Sequence, residues 1–224
     1  MPENNIEQNI LVFSKTEGFR HSSIEAGQAA IQQLGLNNNV NVELTEDASL
    51  FNEETLSGLD AVIFLNTTGT VLDDDQKAAF KEFIQNGGGY TGIHSATDTE
   101  YDWPWYNGLA GAYFNGHPPG TPNAVLDVVD GSHSTTEMLP ARWERVDEWY
   151  NFRDINEDIN VLINIDKETF EGSKHTGDHP VAWYHEYDGG RAFYTALGHT
   201  EESFSEDLYL QHLWNGIEYA MGAE

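Results

Sequence analysis

Five of the nine histidines in this 224-residue chain, His21, His94, His117, His179 and His199, stand in turn-like or strand-terminal settings. Imidazole titrates near neutrality and, as a neutral ring, ligates metals, so a gathering of such rings admits either proton transfer or metal-assisted chemistry. Two of the five share a pattern. Gly92-Ile93-His94-Ser95-Ala96-Thr97-Asp98 runs from an apolar segment into a polar one, and the apolar stretch over residues 191–197 ends in Gly198-His199-Thr200. In open α/β sheets, ligands bind beyond the carboxyl ends of the strands, so polar groups there tend to be functional. Carboxylates complete the candidate set. Asp98 lies four residues beyond His94 and would orient its ring and fix its tautomer. Glu148 reads as a strand residue with Trp149 and Tyr150 around it, suited to acid–base work or to accepting hydroxyl hydrogen bonds. Arg20, next to His21 in a chain poor in cations, would clamp an oxygen unless a neighbouring carboxylate claims it.

The elements that must position these residues follow from periodicity. Residues 9–13 and 61–65 are short apolar runs of the buried-strand kind, and 40–44 alternates as a half-buried strand. Between them Ser22 and Glu25 form a capping-box pattern opening a helix, with Ile24, Ile31 and Leu34 as its stripe and Gly35 as its stop. A second helix is expected from Asp73, capped with Gln76, burying Phe80, Phe83 and Ile84 and ending at Gly87-Gly88-Gly89 before a strand over 90–94. This β-α-β-α-β order implies right-handed crossovers and a parallel sheet. His21, His94 and His199 would then face one crevice, with His117 and His179 on Gly- and Pro-rich loops folding over it. Residues 98–120 read as a long aromatic loop, and loops of that length are usually functional. Further strands are expected at 124–129, 146–152 and 161–165, a hairpin at 181–187 and 191–197 through Asp188-Gly189-Gly190, and a closing helix over 207–221. One domain over residues 1–224 is expected, with 1–8 and 222–224 as flexible ends.

Composition sets the outer limits. Cysteine is absent, which removes disulfides, thiolate metal sites and cysteine nucleophiles. The net charge of −28, from 38 acidic residues against 10 Lys and Arg, repels phosphate backbones and anionic lipids, so no nucleic-acid or membrane partner is expected. Acidic residues spread along the whole chain suit a solvated surface adapted to high salt, where self-repulsion is screened. Met1-Pro2-Glu3-Asn4-Asn5 carries no basic, apolar leader pattern, so the chain as written is expected to be cytoplasmic, a cleaved leader leaving no trace in it. Ser95 does not sit at the centre of G-x-S-x-G, and Gly87-Gly88-Gly89 ends a helix rather than starting one, which argues against a serine hydrolase and a phosphate loop.

Seven motifs in order, Lys15-Thr16-Glu17-Gly18-Phe19-Arg20-His21, Gly92-Ile93-His94-Ser95-Ala96-Thr97-Asp98, Tyr101-Asp102-Trp103-Pro104, Gly116-His117-Pro118, Asp147-Glu148-Trp149-Tyr150, Asp178-His179-Pro180-Val181-Ala182-Trp183 and Ala196-Leu197-Gly198-His199-Thr200, resemble the ThuA-like, trehalose-utilisation family over about residues 10–222. The resemblance implies a class I glutamine amidotransferase-like fold: a flavodoxin-like three-layer α/β/α sandwich, α/β in class, with a mostly parallel central sheet and an added β-hairpin region. It also implies a role in carbohydrate utilisation linked to sugar oxidation and 3-keto-glycoside processing. Amidotransferase activity is not inherited, because the turn at Ile93-His94-Ser95 lacks the Cys that activity needs and function belongs to sites, not folds.

A sugar ligand would stack its C–H faces on Tyr101, Trp103, Phe114, Trp149 or Trp183 and hydrogen-bond its hydroxyls to Arg20, His21, His117 and His179. Three readings follow. The first is an enzyme, a hydrolase, lyase or isomerase of a sugar or keto-glycoside, with His94, His199, Glu148 and Asp98 as catalytic groups. In the second, a divalent metal is held by several of His21, His94, His117, His179 and His199; without HExxH or His-x-His spacing, no cofactor is firmly predicted. The third is a noncatalytic carbohydrate-binding accessory protein. Aromatics around residues 101–114 would alternatively bury against a second copy in a homo-oligomer.

Overall fold

The computed structural model describes residues 8–223, and its first half alternates strand and helix as the periodicity requires. Strands β1 (Gln8–Phe13), β2 (Val40–Thr45), β3 (Ala61–Leu65) and β4 (Gly89–Ile93) are joined by helices α1 (Ile24–Asn38), α2 (Glu53–Leu56) and α3 (Asp74–Gln85). Every residue of β3 is buried, as a central strand flanked in parallel by β1 and β4 must be. Helix α3 opens on the expected capping box: Asp73 accepts from the Gln76 amide and the Gln76 side chain accepts from the Asp73 amide.

Helix α1 departs from expectation at both ends. Its N-cap is Ser23, not Ser22, and the Ser23 hydroxyl donates to the Gly198 carbonyl instead of capping the helix, so no capping box forms. Gly35 lies inside the helix and does not stop it. A Cβ there would come within 2.3 Å of Val42 Cγ2, so the glycine serves the close approach of α1 to β2. The helix ends three residues later, where Asn39 turns left-handed (φ 58°) and returns its N–H to the Gly35 carbonyl.

After β4 come α4 (Pro104–Ala110), β5 (Tyr113–Phe114), β6 (Asn123–Val128), β7 (Arg142–Val146), β8 (Phe152–Arg153), β9 (Asn160–Ile165), β10 (Pro180–Tyr187), β11 (Gly190–Thr195) and α5 (Asp207–Met221). The main sheet has nine strands in the order β2-β1-β3-β4-β11-β10-β9-β6-β7. From β2 to β11 neighbours are parallel; from β11 to β7 they are antiparallel. The fold is thus a flavodoxin-like α/β sandwich whose parallel half is extended by an antiparallel half. The β10–β11 hairpin closes through Asp188 (φ 49°) and Gly189 (φ 104°), the paired left-handed residues of a two-residue turn. The Asp188 carboxylate is held by Trp105 and Gln85.

The strand expected over 146–152 is displaced. The ladder to β6 occupies Arg142–Val146, and residues 147–151 leave it as a buried irregular segment, so Glu148 is not on a strand. In β7 the inward residues are Trp143 and Arg145, while Val146 is exposed. A buried arginine in the apolar slot hides the period of two. Gln8 belongs to β1, and Gly222 caps α5 in the left-handed region. Residues 1–7 and 224, the remainder of the stretches expected to be flexible, lie outside the described residues. Among the described residues no helix is long and apolar enough to cross a membrane.

Helix α5 crosses β11 at Gly216, where a Cβ would sit 2.1 Å from Phe193 Cε1. One turn earlier, buried His212 donates from Nδ1 to the Thr135 carbonyl (2.8 Å), leaving Nε2 to accept from Thr195 Oγ1 (3.3 Å). Gly216→Val should therefore lower the unfolding free energy in urea by roughly 2 kcal/mol or more, the overpacking range. Burial pushes the His212 ring down to about 4. Because the unfolded ring takes a proton near pH 6.5 and the folded ring resists it, this stability is whole above pH 6.5 and lost as pH falls toward 4, by up to about 3 kcal/mol. His212→Gln should flatten the dependence of stability on pH across that window.

Candidate functional site at the carboxyl edge of the sheet

Three loops beyond the parallel strands are laced together before any imidazole is placed. After β1, Gly18 donates its N–H to Thr68 Oγ1, which donates onward to the Phe19 carbonyl, tying this loop to the one after β3. Asn66 Nδ2 donates to Ser23 Oγ (2.9 Å) and to the Gly198 carbonyl (3.2 Å), which joins both loops to the turn after β11. After β4 the chain turns sharply at His94, whose φ of 47° is strained for a non-glycine residue. Tyr194 holds that turn by donating its hydroxyl to the His94 carbonyl (2.6 Å).

The antiparallel half delivers Glu148 through its neighbour. Buried Asp147 accepts from its own chain at the Glu148 N–H (2.9 Å) and from the Gly198 (3.0 Å) and His199 (3.1 Å) N–H groups. Its second oxygen also takes Arg145 Nη2 (3.3 Å) and Ser203 Oγ (3.4 Å). Arg145 is itself buried, paired with Glu206 (2.7 Å) and packed between the rings of Trp143 and Tyr209. The sequence reading gave neither Arg145 nor Asp147 a role, although Asp147 stood in a motif beside Glu148.

At the centre, the rings of His21, His94 and His199 form a near-equilateral triangle with centroid separations of 4.9, 5.1 and 5.2 Å. Glu148 Oε2 lies 3.2 Å from His199 Nδ1 and 3.4 Å from His94 Nε2, while Oε1 lies 3.0 Å from His117 Nδ1. His94 Nδ1 donates to the Ala196 carbonyl (2.8 Å). His21 Nδ1 meets Ser95 Oγ at 3.3 Å. One donor atom from each of His21, His94, His199 and Glu148 falls within 4.8 Å of every other, so among the described residues these four side chains could hold a metal. Tyr150 lies against His94 (4.2 Å between rings) and Phe114 against Tyr150 (4.2 Å), giving the cluster one aromatic wall.

The electrostatics follow the contacts. Burial would raise the Glu148 carboxyl, yet the hydrogen bonds and charge of His199 and His94 hold it well below the usual carboxylate range. Burial would lower His199, but the bond to Glu148 and its charge, with that of Asp147, raise it instead. Burial first, then the neighbouring imidazoles, push His21 far down.

Several expected site residues lie elsewhere or do something else. Asp98 does not orient His94, whose Nδ1 is taken by a backbone carbonyl; the Asp98 carboxylate accepts from Tyr101 instead, and burial raises it. Arg20 turns outward to Glu25 (2.8 Å) and Glu46 (2.9 Å). His179 is buried behind the wall, bonded to the Tyr150 carbonyl (2.7 Å) and Ser173 Oγ (3.0 Å), and braces the loop rather than facing a ligand. Trp183 is buried against Tyr194, and Trp149 is buried with its indole N–H on the Pro122 carbonyl, so neither offers a face to a sugar. Trp103 stacks with Trp105 and Tyr106 beneath Lys77. Tyr101, 36% exposed, remains beside Phe114, and His117 stays at the mouth with its side chain 37% exposed. The sequence reading passed over Tyr150 as a ring facing the cluster.

A family model described as trehalose utilisation, ThuA, matches residues 9–220. No curated protein matches the chain. A putative ThuA-like protein from Bacteroides uniformis ATCC 8492 superposes with a TM-score of 0.80 at 21% identity, covering 95% of this chain and 91% of that one. A putative ThuA-like protein from Parabacteroides merdae ATCC 43184 gives 0.77 at 20% identity, covering 97% and 91%. The cold-adapted β-galactosidase of Rahnella sp. R3 is similar over 97% of this chain but only 32% of its own, with a TM-score of 0.61 at 14% identity. These structural likenesses show a shared fold. The family match, running nearly from end to end, shows that the chain belongs to the ThuA, trehalose-utilisation family and so to carbohydrate utilisation.

Proposed function

We propose that this protein is an enzyme acting on a sugar or keto-glycoside of the trehalose type by acid–base chemistry at the His94–Glu148–His199 cluster. The observation that carries this reading is the Glu148 carboxylate, within hydrogen-bond reach of imidazoles from three separate loops and bordered by the Phe114–Tyr150 wall. A packed core has no use for such a constellation, because each buried polar group costs free energy unless it is paired.

The chemistry suited to it is proton abstraction beside a ketone. A carbonyl acidifies the neighbouring C–H, so a positioned base can remove that proton without a nucleophile. Glu148 Oε1 and the His117 N–H it faces form the proton-carrying pair at the open side. His199, whose protonated form Glu148 favours, lies deeper against His94 Nε2, where its ring would polarise the ketone oxygen that receives the electron pair. The resulting enolate either takes a proton on the former ketone carbon while the hydroxyl on the adjacent carbon gives up its own and becomes the carbonyl, which is isomerisation, or expels the glycosidic oxygen two atoms away, which takes up a proton from His117. The aromatic wall would carry the apolar face of the ring.

Incubating the protein with 3-keto-trehalose in deuterium oxide tests this by mass spectrometry. Expected is deuterium beside the ketone, or cleaved product, at a rate that His94→Ala lowers by about 100-fold or more, the usual worth of a positioned acid–base group. Phe114→Ala should raise KM by about fivefold with a smaller change in kcat, as loss of about 1 kcal/mol of ring stacking predicts. Saturable binding of keto-glycosides with neither exchange nor turnover would replace the enzyme with a noncatalytic carbohydrate-binding protein.

A further inference from the structure

The tautomer of His94 is fixed by its surroundings, with a consequence for the whole cluster. Its Nδ1 lies 2.8 Å from the Ala196 carbonyl, which can only accept, so Nδ1 carries the proton and Nε2 of the neutral ring presents a lone pair. That lone pair faces a carboxylate oxygen at 3.4 Å and a second imidazole nitrogen, His199 Nδ1, at 3.2 Å. A proton on His199 Nδ1 would be shared between His94 Nε2 and Glu148 Oε2, whereas a cation placed among the three atoms would satisfy all of them directly.

The separations have the dimensions of a coordination polyhedron. His94 Nε2, His199 Nδ1 and Glu148 Oε2 are 3.2, 3.2 and 3.4 Å apart. Ligands about 2.0–2.1 Å from a tetrahedral ion lie about 3.3–3.4 Å from one another, so these three atoms already span one face of such a tetrahedron. His21 adds a fourth donor within 4.8 Å of the rest. Its ring stands at 90° to that of His94 and 88° to that of His199, so the rings meet by their edges and do not stack. Each ligand has its own support: the Ala196 carbonyl for His94, Ser95 for His21 and, for the backbone of both Glu148 and His199, Asp147. Hydrogen bonds of this kind on the far side of the ligands are how metal sites set tautomer and direction.

We infer that His21, His94, His199 and Glu148 through Oε2 form a binding site for a divalent first-row transition ion, zinc being the representative case. Imidazoles with one carboxylate suit such ions, and the set leaves one positive charge uncompensated that would draw a ketone or hydroxyl oxygen as a fifth ligand. Glu148 Oε1 and His117 stay outside the ligand set as the proton-carrying pair at the mouth. This deepens the catalytic reading of the crevice and rests on it for its purpose, but the readout is metal content, which does not depend on turnover.

Protein purified without chelator is assayed by elemental mass spectrometry, then stripped, and titrated with zinc and with cobalt. The expected result is about one ion per chain, with affinity falling by about 100-fold or more in His94→Ala and in His199→Ala but holding in His117→Ala. Cobalt bound to the unaltered protein should show the visible ligand-field bands of a four-coordinate nitrogen and oxygen site, which keeps the inference testable if a variant fails to fold. Less than about 0.1 ion per chain after saturation with zinc, or unchanged affinity in folded His94→Ala and His199→Ala, would overturn it. Stoichiometric metal without exchange or turnover supports the ion site and removes only the acid–base catalysis. Full turnover by metal-stripped protein that still takes up about one ion per chain supports the site and removes only the ion's part in the catalysis.

Discussion

One buried carboxylate holds the two halves of this molecule in register at the cluster. Asp147 accepts the N–H groups of Glu148, Gly198 and His199, so the segment leaving the antiparallel half and the turn leaving the parallel half share one anchor. Arg145 balances the charge from a position that is itself buried. Removing one member of such a pair costs about 3–5 kcal/mol, a large share of the ordinary stability of a domain, because the other is left charged in the interior. The distances between Glu148 and the imidazoles are therefore set by a buried ion pair behind the cluster.

The parallel half explains why three imidazoles meet at all. Strands running the same way deliver their following loops to one edge, and the Asn66–Ser23–Gly198 bonds draw those loops together. The left-handed turn at His94 stores strain that Tyr194 and the Ala196 carbonyl secure. The antiparallel half contributes the acid and the wall. Tyr150 is braced from behind by His179, which burial pushes down to about 4 and so keeps neutral near pH 7, bonded to the Tyr150 carbonyl. A histidine expected to touch a ligand instead supports the ring beside it.

Much of this was legible in the chain. The apolar run over 61–65, the Asp73–Gln76 box and the Asp188-Gly189 turn carry their own local chemistry, and each formed where its residues dictate. The misread positions share a different cause. Gly35 reads as a helix stop, Ser22 as a cap and residues 146–152 as a strand until the contacts of Gly35 with Val42, of Ser23 with Gly198 and of Arg145 with Glu206 are known. Each is a tertiary contact overriding a local preference.

The sequence by itself determined the parallel half, the strand-terminal positions of His94 and His199, and membership in a carbohydrate-utilisation family, because period, caps and turn residues act over a few neighbours. Only the tertiary structure decided that Glu148 stands among four imidazoles, that Asp98 and Arg20 turn to other partners, and which nitrogen of His94 faces the cluster. Those outcomes depend on separations of about 3 Å, at the cluster between groups far apart in the chain, and hydrogen bonds and ion pairs at that range are fixed by packing, not by spacing along the backbone.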